Sequence, residues 1–181
     1  MASSQQQPRR INAHNVFVTV GTTEFESLIE TIDNASFVLE LQKYGCKSLS
    51  VQIGRGLYAP TSLELECTSR GISLEYFRFN PTLSDDMQRA DVIISHCGAG
   101  SILEAIGLQK QLIVVVNSSL QDNHQTELSD ALAAGNYCWS TTPESLNTLL
   151  ANLGNQGELN IFPKHDPTIF PALVDSMFDW S

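Results

Sequence analysis

The sequence predicts an α/β fold, doubly wound in one domain, with helices on both faces of a mostly parallel sheet. The first observation behind this is that short β-branched apolar runs alternate with amphipathic helical stretches, the pattern of successive βαβ units. The second is that "QLIVVVN" is apolar throughout, as suits a strand covered on both faces. The third is bulk: 181 residues, 42% of them hydrophobic, fit one compact domain with a core of its own.

The elements follow in order. Residues 1–14, "MASSQQQPRRINAH", are polar and without apolar periodicity, and read as a disordered tail. "NVFVTVG" is a buried strand ending in glycine. A helix or helix pair covers about 23–44, with Gly45 as a C-terminal cap. "SLSVQIGRG" is a second strand ending in a glycine pair around Arg55. "SLELECTSRG" is ambiguous between helix and strand. "ISLEYFRF" alternates and is a third strand. "TLSDDMQRA" is a short helix capped by Thr82 or Ser84, with Asp85 and Asp86 as its exposed start. "DVIISH" is a fourth strand, "SILEAIGL" a helix, and "QLIVVVN" a fifth strand. "DNHQTELSDALAAG" is a helix capped by Asp122 or Asn123 and stopped by Gly135. "YCWST" is a candidate sixth strand. "TPESLNTLLANLG" is a helix with Thr142 capping and Pro143 at its first position. A loop, "NQGELNIFPKHDP", leads to a last apolar helix in "TIFPALVDSMFDW".

Charge and cysteines narrow the function classes. Lys and Arg number 10 against 20 Asp and Glu, a net charge of −10, which argues against a nucleic-acid-binding surface. The four cysteines form no CxxC pair and fit no zinc spacing, so free thiols in a reducing, cytoplasmic compartment are expected. No stretch reads as a signal peptide or as a membrane span of roughly 18 apolar residues.

The richest chemistry lies in "SHCGAGS", between the fourth strand and its helix. In open α/β sheets ligands bind beyond the carboxyl ends of the strands. Glycines let the backbone approach a ligand, and a helix N-terminus offers N–H groups and a positive dipole end to an anion. Gly98, Ala99, Gly100 and Ser101 therefore suit a phosphate. Glu104 follows one turn later. Ser101-x-x-Glu104 also reads as a capping box, in which the acid only ties back to the backbone, and Thr23 with Glu26 reads the same way. The full dinucleotide fingerprint is absent. The third glycine is missing after "GAG", and Arg55 rather than an acid ends the second strand, which argues against NAD. Downstream, Asn123, His124 and Gln125 enter the helix after the fifth strand at the same sheet end. Their donors and acceptors suit sugar hydroxyls, or serve as an elaborate cap. No Asp-x-Asp metal signature occurs, and no metal or cofactor is expected.

Taken together, "RADVIISHCGAGSILEAIGLQKQLIVVVN" and "QDNHQTELSDALAAG" resemble the donor-binding half of the GT-B glycosyltransferases related to the bacterial enzyme that adds GlcNAc to lipid-linked murein precursors. With "VFVTVGTTEFESLI" and "VQIGRG" added, the chain is similar over roughly 16–178 to the cytosolic catalytic subunits of eukaryotic two-component UDP-GlcNAc transferases. The resemblance implies a single Rossmann-like GT-B C-terminal-type domain over 15–165, with 166–181 as a C-terminal helix that docks a partner or packs on its own domain. It implies that Glu104 holds the ribose of UDP, that Gly21, Thr22 and Thr23 join Gly98–Ser101 at the diphosphate, and that Phe79 marks the uracil segment. Asn123, His124 and Gln125 would face the donor sugar. Cys97 stands where a small residue is usual and reads as structural. The implied reaction moves GlcNAc from UDP-GlcNAc to dolichyl-diphosphate-GlcNAc with inversion, in the second sugar step of lipid-linked oligosaccharide synthesis. A membrane-anchored subunit would complete the cleft, bring the acceptor and recruit the chain to the cytosolic face of the endoplasmic reticulum. The catalytic base stays open, with His96 and His124 as candidates by position, and a non-catalytic nucleotide-sugar-binding regulatory subunit is the alternative.

Overall fold

The structure, a computed structural model, describes residues 12–80, 82–117 and 123–162. Six strands form one sheet: β1 (Asn15–Thr19), β2 (Ser48–Gln52), β3 (Ser73–Phe77), β4 (Val92–His96), β5 (Gln111–Val115) and β6 (Trp139–Thr141). Their order is β3-β2-β1-β4-β5-β6, and every pairing is parallel. The helices are α1 (Glu26–Ile32), α2 (Ala35–Lys43), α3 (Thr61–Ser69), α4 (Leu83–Arg89), α5 (Ala99–Gly107), α6 (Asn123–Ala134) and α7 (Pro143–Asn152).

The strand period of two divides the core. In β1, Val16 and Val18 point into one apolar cluster with Leu28, Phe37, Leu63 and Leu146, which come from α1, α2, α3 and α7. Phe17, between them, points into a second cluster with Met87, Ile102 and Leu128 from α4, α5 and α6. Each fully buried side chain of this size contributes about 1.5–3 kcal/mol, so both helical layers are held by the strands' alternation.

Local chemistry explains most boundaries. Asn34 caps α2 by accepting the Phe37 N–H at 3.0 Å, and Gly45 follows the helix at φ 84°, in the left-handed region where glycine was expected. Pro143 opens α7 after Thr142, whose side chain makes no capping bond. The ambiguous "SLELECTSRG" is helical because Leu63 and Cys67, four apart, both reach the core. Its start is moored by Asp33, which accepts the Leu63 N–H and, at 2.7 Å, the Tyr58 hydroxyl.

Three local expectations are corrected. The end of α6 is not set by Gly135 alone. The positive φ of 56° falls on Asn136, whose amide side chain donates to the Glu158 carbonyl, while a Cβ on Gly135 would lie 2.5 Å from the Tyr137 ring. Asp85 and Asp86 do not form an exposed pair. Asp85 is exposed, but Asp86 is buried, with Arg89 and Asn80 on its two carboxylate oxygens. Finally, Ala13 and His14 belong to the fold: Ala13 is buried and donates to the Tyr44 carbonyl, and the His14 carbonyl accepts from Lys47 and Ser48. Residues 1–11 and the helix expected over 166–181 lie outside the described residues.

Candidate functional site at the sheet's carboxyl end

The strand order reverses between β1 and β4, so the loops that leave these two strands diverge and open a crevice at their carboxyl ends. Gly21 leaves β1 at φ 62°, and its N–H donates to Thr19 Oγ1 at 2.9 Å. That hydroxyl in turn donates to Gln52 Oε1 on β2, and both side chains are buried. A satisfied polar pair thus forms the floor of the first loop. Thr22 and Thr23 are exposed above it, and Thr23 Oγ1 donates to the Val20 carbonyl at 2.8 Å.

The β4 loop supplies the opposite wall. Its helix, α5, begins at Ala99 with Gly98 as N-cap and no side-chain cap. Ser101 is therefore the third helical residue rather than the cap, and the Ser101–Glu104 capping box does not form. The N–H groups of Ala99, Gly100 and Ser101 have no partner among the described residues. Glu104 is half-buried, and its carboxylate accepts no hydrogen bond from the described residues. Gly100 is exposed, and a Cβ there would meet nothing within 4 Å. No packing among the described residues explains that glycine, which costs helix stability relative to alanine. Close approach of a group outside the described residues, such as a ligand, would explain it.

His96 ends β4 and fills the space between the two loops. A Cβ on Gly21 would lie 2.6 Å from its Cε1, and one on Gly98 would lie 2.2 Å from its Nε2. Nδ1 is buried without a hydrogen bond from the described residues. Burial pushes the imidazole below its ordinary range, with the Thr19 backbone opposing the shift. Cys97, next along, is buried, and burial pushes its thiol up to about 11, as suits a packing residue rather than a nucleophile.

Two further parts were not legible as a site in the sequence. Glu26 does not close a capping box with Thr23. Its carboxylate accepts the N–H groups of Leu57 at 2.6 Å and Tyr58 at 3.2 Å, and so holds the loop after β2. Gly54, at φ 63°, could carry no side chain, because a Cβ would stand 2.3 Å from the Thr23 carbonyl. Arg78 ties the same loop from β3 by donating to the Gly54 and Gly56 carbonyls. The glycine pair around Arg55 was the available signal for this. Phe79 follows Arg78 at the same sheet end, two strands from β1, and is half-exposed. Asn123, His124 and Gln125 form the first turn of α6, after β5, at this end too; their side chains are outside the described residues. Among the described residues no group of three His, Cys, Asp or Glu could hold a metal, and no helix is long and apolar enough to cross a membrane.

Known proteins match this arrangement. The chain is 34% identical over 177 residues to the UDP-N-acetylglucosamine transferase subunit ALG13 of Mus musculus, covering 91% of this chain and 15% of that protein. Its human counterpart is 41% identical over 117 residues, with 65% of this chain and 10% of that protein covered. The chain thus spans a small part of these two relatives' own length. The Saccharomyces cerevisiae ALG13 subunit is 31% identical, with 90% of this chain and 96% of that protein covered. A solution structure of ALG13 superposes with a TM-score of 0.67 at 27% identity, covering 92% of this chain and 98% of that one. Acinetobacter baumannii MurG shares the fold, with a TM-score of 0.61 at 20% identity, over 82% of this chain and 42% of that one. The model of the glycosyltransferase family 28 C-terminal domain matches residues 15–168, from β1 past the last described residue, and the chain belongs to that family.

Proposed function

We propose that this chain is the donor-binding, catalytic subunit of an N-acetylglucosaminyltransferase that moves GlcNAc from UDP-GlcNAc to dolichyl-diphosphate-GlcNAc with inversion. One observation carries the reading. At the switch point, a helix N-terminus with an exposed glycine stands beside Glu104, and neither its N–H groups nor that carboxylate has a partner among the described residues. The N–H groups of Ala99, Gly100 and Ser101 take the donor diphosphate, with Gly21–Thr23 as the facing wall. As the bond to the sugar breaks, charge grows on the departing UDP, and these fixed donors stabilise it without reorganising. Glu104, one and a half turns into the helix, holds the ribose hydroxyls, and Phe79 marks the uracil side. Asn123, His124 and Gln125 at the start of α6 face the sugar.

An inverting displacement needs a base at the acceptor hydroxyl. His96 is enclosed between the loops, which leaves His124 as the candidate on this chain. The acceptor is a lipid, so a membrane-anchored partner would bring it and complete the cleft, with residues 166–181 as the docking helix. On this reading the chain works at the cytosolic face of the endoplasmic reticulum. The relatives' name, "subunit", supports a partner.

The test is calorimetry with UDP and UDP-GlcNAc, followed by a GlcNAc-transfer assay with the chain co-expressed with a membrane partner. UDP binding together with transfer that is lost in His124→Asn is the expected result. UDP binding with transfer unaffected by substitutions at Glu104, His124 and Gln125 would mark a regulatory subunit instead.

A further inference from the structure

We infer that His96 is a positioning residue, a spacer whose imidazole sets the separation of the two glycine loops that receive the donor diphosphate. The inference rests on the donor-site reading above and adds a residue role to it. The observations concern three residues. Gly98 has φ −92° and ψ 124°, a conformation open to any L-residue, so backbone strain does not require glycine there. What excludes a side chain is the ring: a Cβ would stand 2.2 Å from Nε2, 2.8 Å from Cε1 and 3.0 Å from Cδ2 of His96. The same ring edge blocks Gly21, where a Cβ would stand 2.6 Å from Cε1 and 3.0 Å from Nε2. One imidazole edge therefore packs against the α-carbons of both loops at once.

The surroundings make this a fixed wedge. The Gly98 N–H donates to the His96 carbonyl at 2.8 Å, so the chain turns tightly back over its own ring. Ser95 Oγ donates to the same carbonyl at 2.9 Å. On the other wall, Gly21 is held down on the buried Thr19–Gln52 pair. Both walls are thus anchored to the sheet, and the ring occupies the gap. Loops holding two phosphates must keep their N–H groups at a set spacing, because misplacement of a fixed donor by an ångström forfeits most of its hydrogen bond.

The experiment is a double-mutant cycle read by UDP calorimetry and by melting temperature. Gly98→Ala is expected to weaken UDP binding by about tenfold and to lower the melting temperature, because the methyl and the ring compete for one place. His96→Ala is expected to weaken UDP binding by a similar factor. In the His96→Ala background, Gly98→Ala should change either readout little, less than about twofold in affinity. His96→Gln, neutral and of similar reach, should keep UDP affinity and transfer rate within about threefold of the wild type. Equal penalties for Gly98→Ala with and without the ring would overturn the spacer, as would a His96→Gln variant as weak as His96→Ala. A His96→Gln variant with normal UDP affinity and abolished transfer would overturn it in favour of a base. A wild-type chain that binds no UDP would sink the donor-site reading; the spacer would then be decided by the melting temperatures of the same four proteins.

Discussion

The two ends of the sheet hold opposite kinds of hollow. At the amino end, where β5 and β6 begin, a cavity of about 340 Å³ is lined by Tyr44, Tyr137, Trp139, Leu159 and Phe162 among others. Tyr137 and Phe162 meet edge to face there, with ring centroids 5.0 Å apart. At the carboxyl end the walls are backbone and glycine, with N–H groups that have no partner, and a carboxylate that accepts no hydrogen bond, among the described residues. A well-formed cavity with aromatic lining would by itself point to the amino end. The topology of open α/β sheets, and the N–H groups of a helix start without a partner among the described residues, point to the other. A hollow whose polar groups are already spent on the fold has little left for a ligand. The amino end is partly of that kind: Lys110 donates to the Gln88 carbonyl, and Asn160 bonds Gly135 and Asn136, while Gln111 Oε1 is buried there without a partner among the described residues.

If the amino end is scaffold and the carboxyl end is site, substitutions should separate stability from binding. The largest effect is expected from Trp139→Ala. Emptying that buried position should cost about 3–5 kcal/mol of stability in denaturant unfolding, with UDP affinity of the folded protein unchanged. A matching loss of UDP affinity would break the division between the ends. Glu104→Ala should do the reverse. Losing a charge-assisted hold on the ribose costs roughly 1.5–3 kcal/mol of UDP binding, with stability nearly constant. The same variant should bind 2′-deoxy-UDP and UDP with more similar affinities than the wild type does, which calorimetry reads directly.

Gly100→Ala sharpens the contrast, because its two effects have opposite signs. The fold should gain about 0.5–1 kcal/mol from better helix propensity in open space, while UDP affinity falls by roughly tenfold. A variant that gains stability and keeps its UDP affinity would show that nothing approaches this glycine. A smaller effect concerns pH. In the folded chain His96 is held below its ordinary value chiefly by burial. The unfolded chain therefore takes up the proton first as pH falls. The stability conferred by the neutral ring is complete above about pH 6.5 and is lost as pH falls from there toward the folded value. Melting temperatures between pH 7.5 and 5.5 should drop more for the wild type than for His96→Gln, and parallel curves would contradict a buried neutral ring. The smallest expected signal is at Cys97. With its thiol pushed up to about 11 by burial, alkylation of the native protein at neutral pH should proceed no faster than unfolding.

Much of this was legible before any coordinates. The alternation of apolar runs and helical stretches determined the α/β class, because side-chain periods of two and near 3.6 are properties of each segment alone. Gly45 and Pro143 marked helix ends for equally local reasons. The glycine loop after β4 was readable too, as were Glu104 and its two competing roles. Tertiary structure removed one of those roles, the cap. It started α5 at Ala99 instead of Ser101, which removed the capping box and left the carboxylate without a partner among the described residues. It turned Glu26 from a supposed cap into a clamp on Leu57 and Tyr58, and it buried Asp86 against Arg89. Above all, it set β1 beside β4 and placed His96 between Gly21 and Gly98. No pattern along the chain encodes that meeting. It arises because the sheet's strand order brings together loops that are distant in sequence, and steric exclusion between them acts only once they are folded against each other.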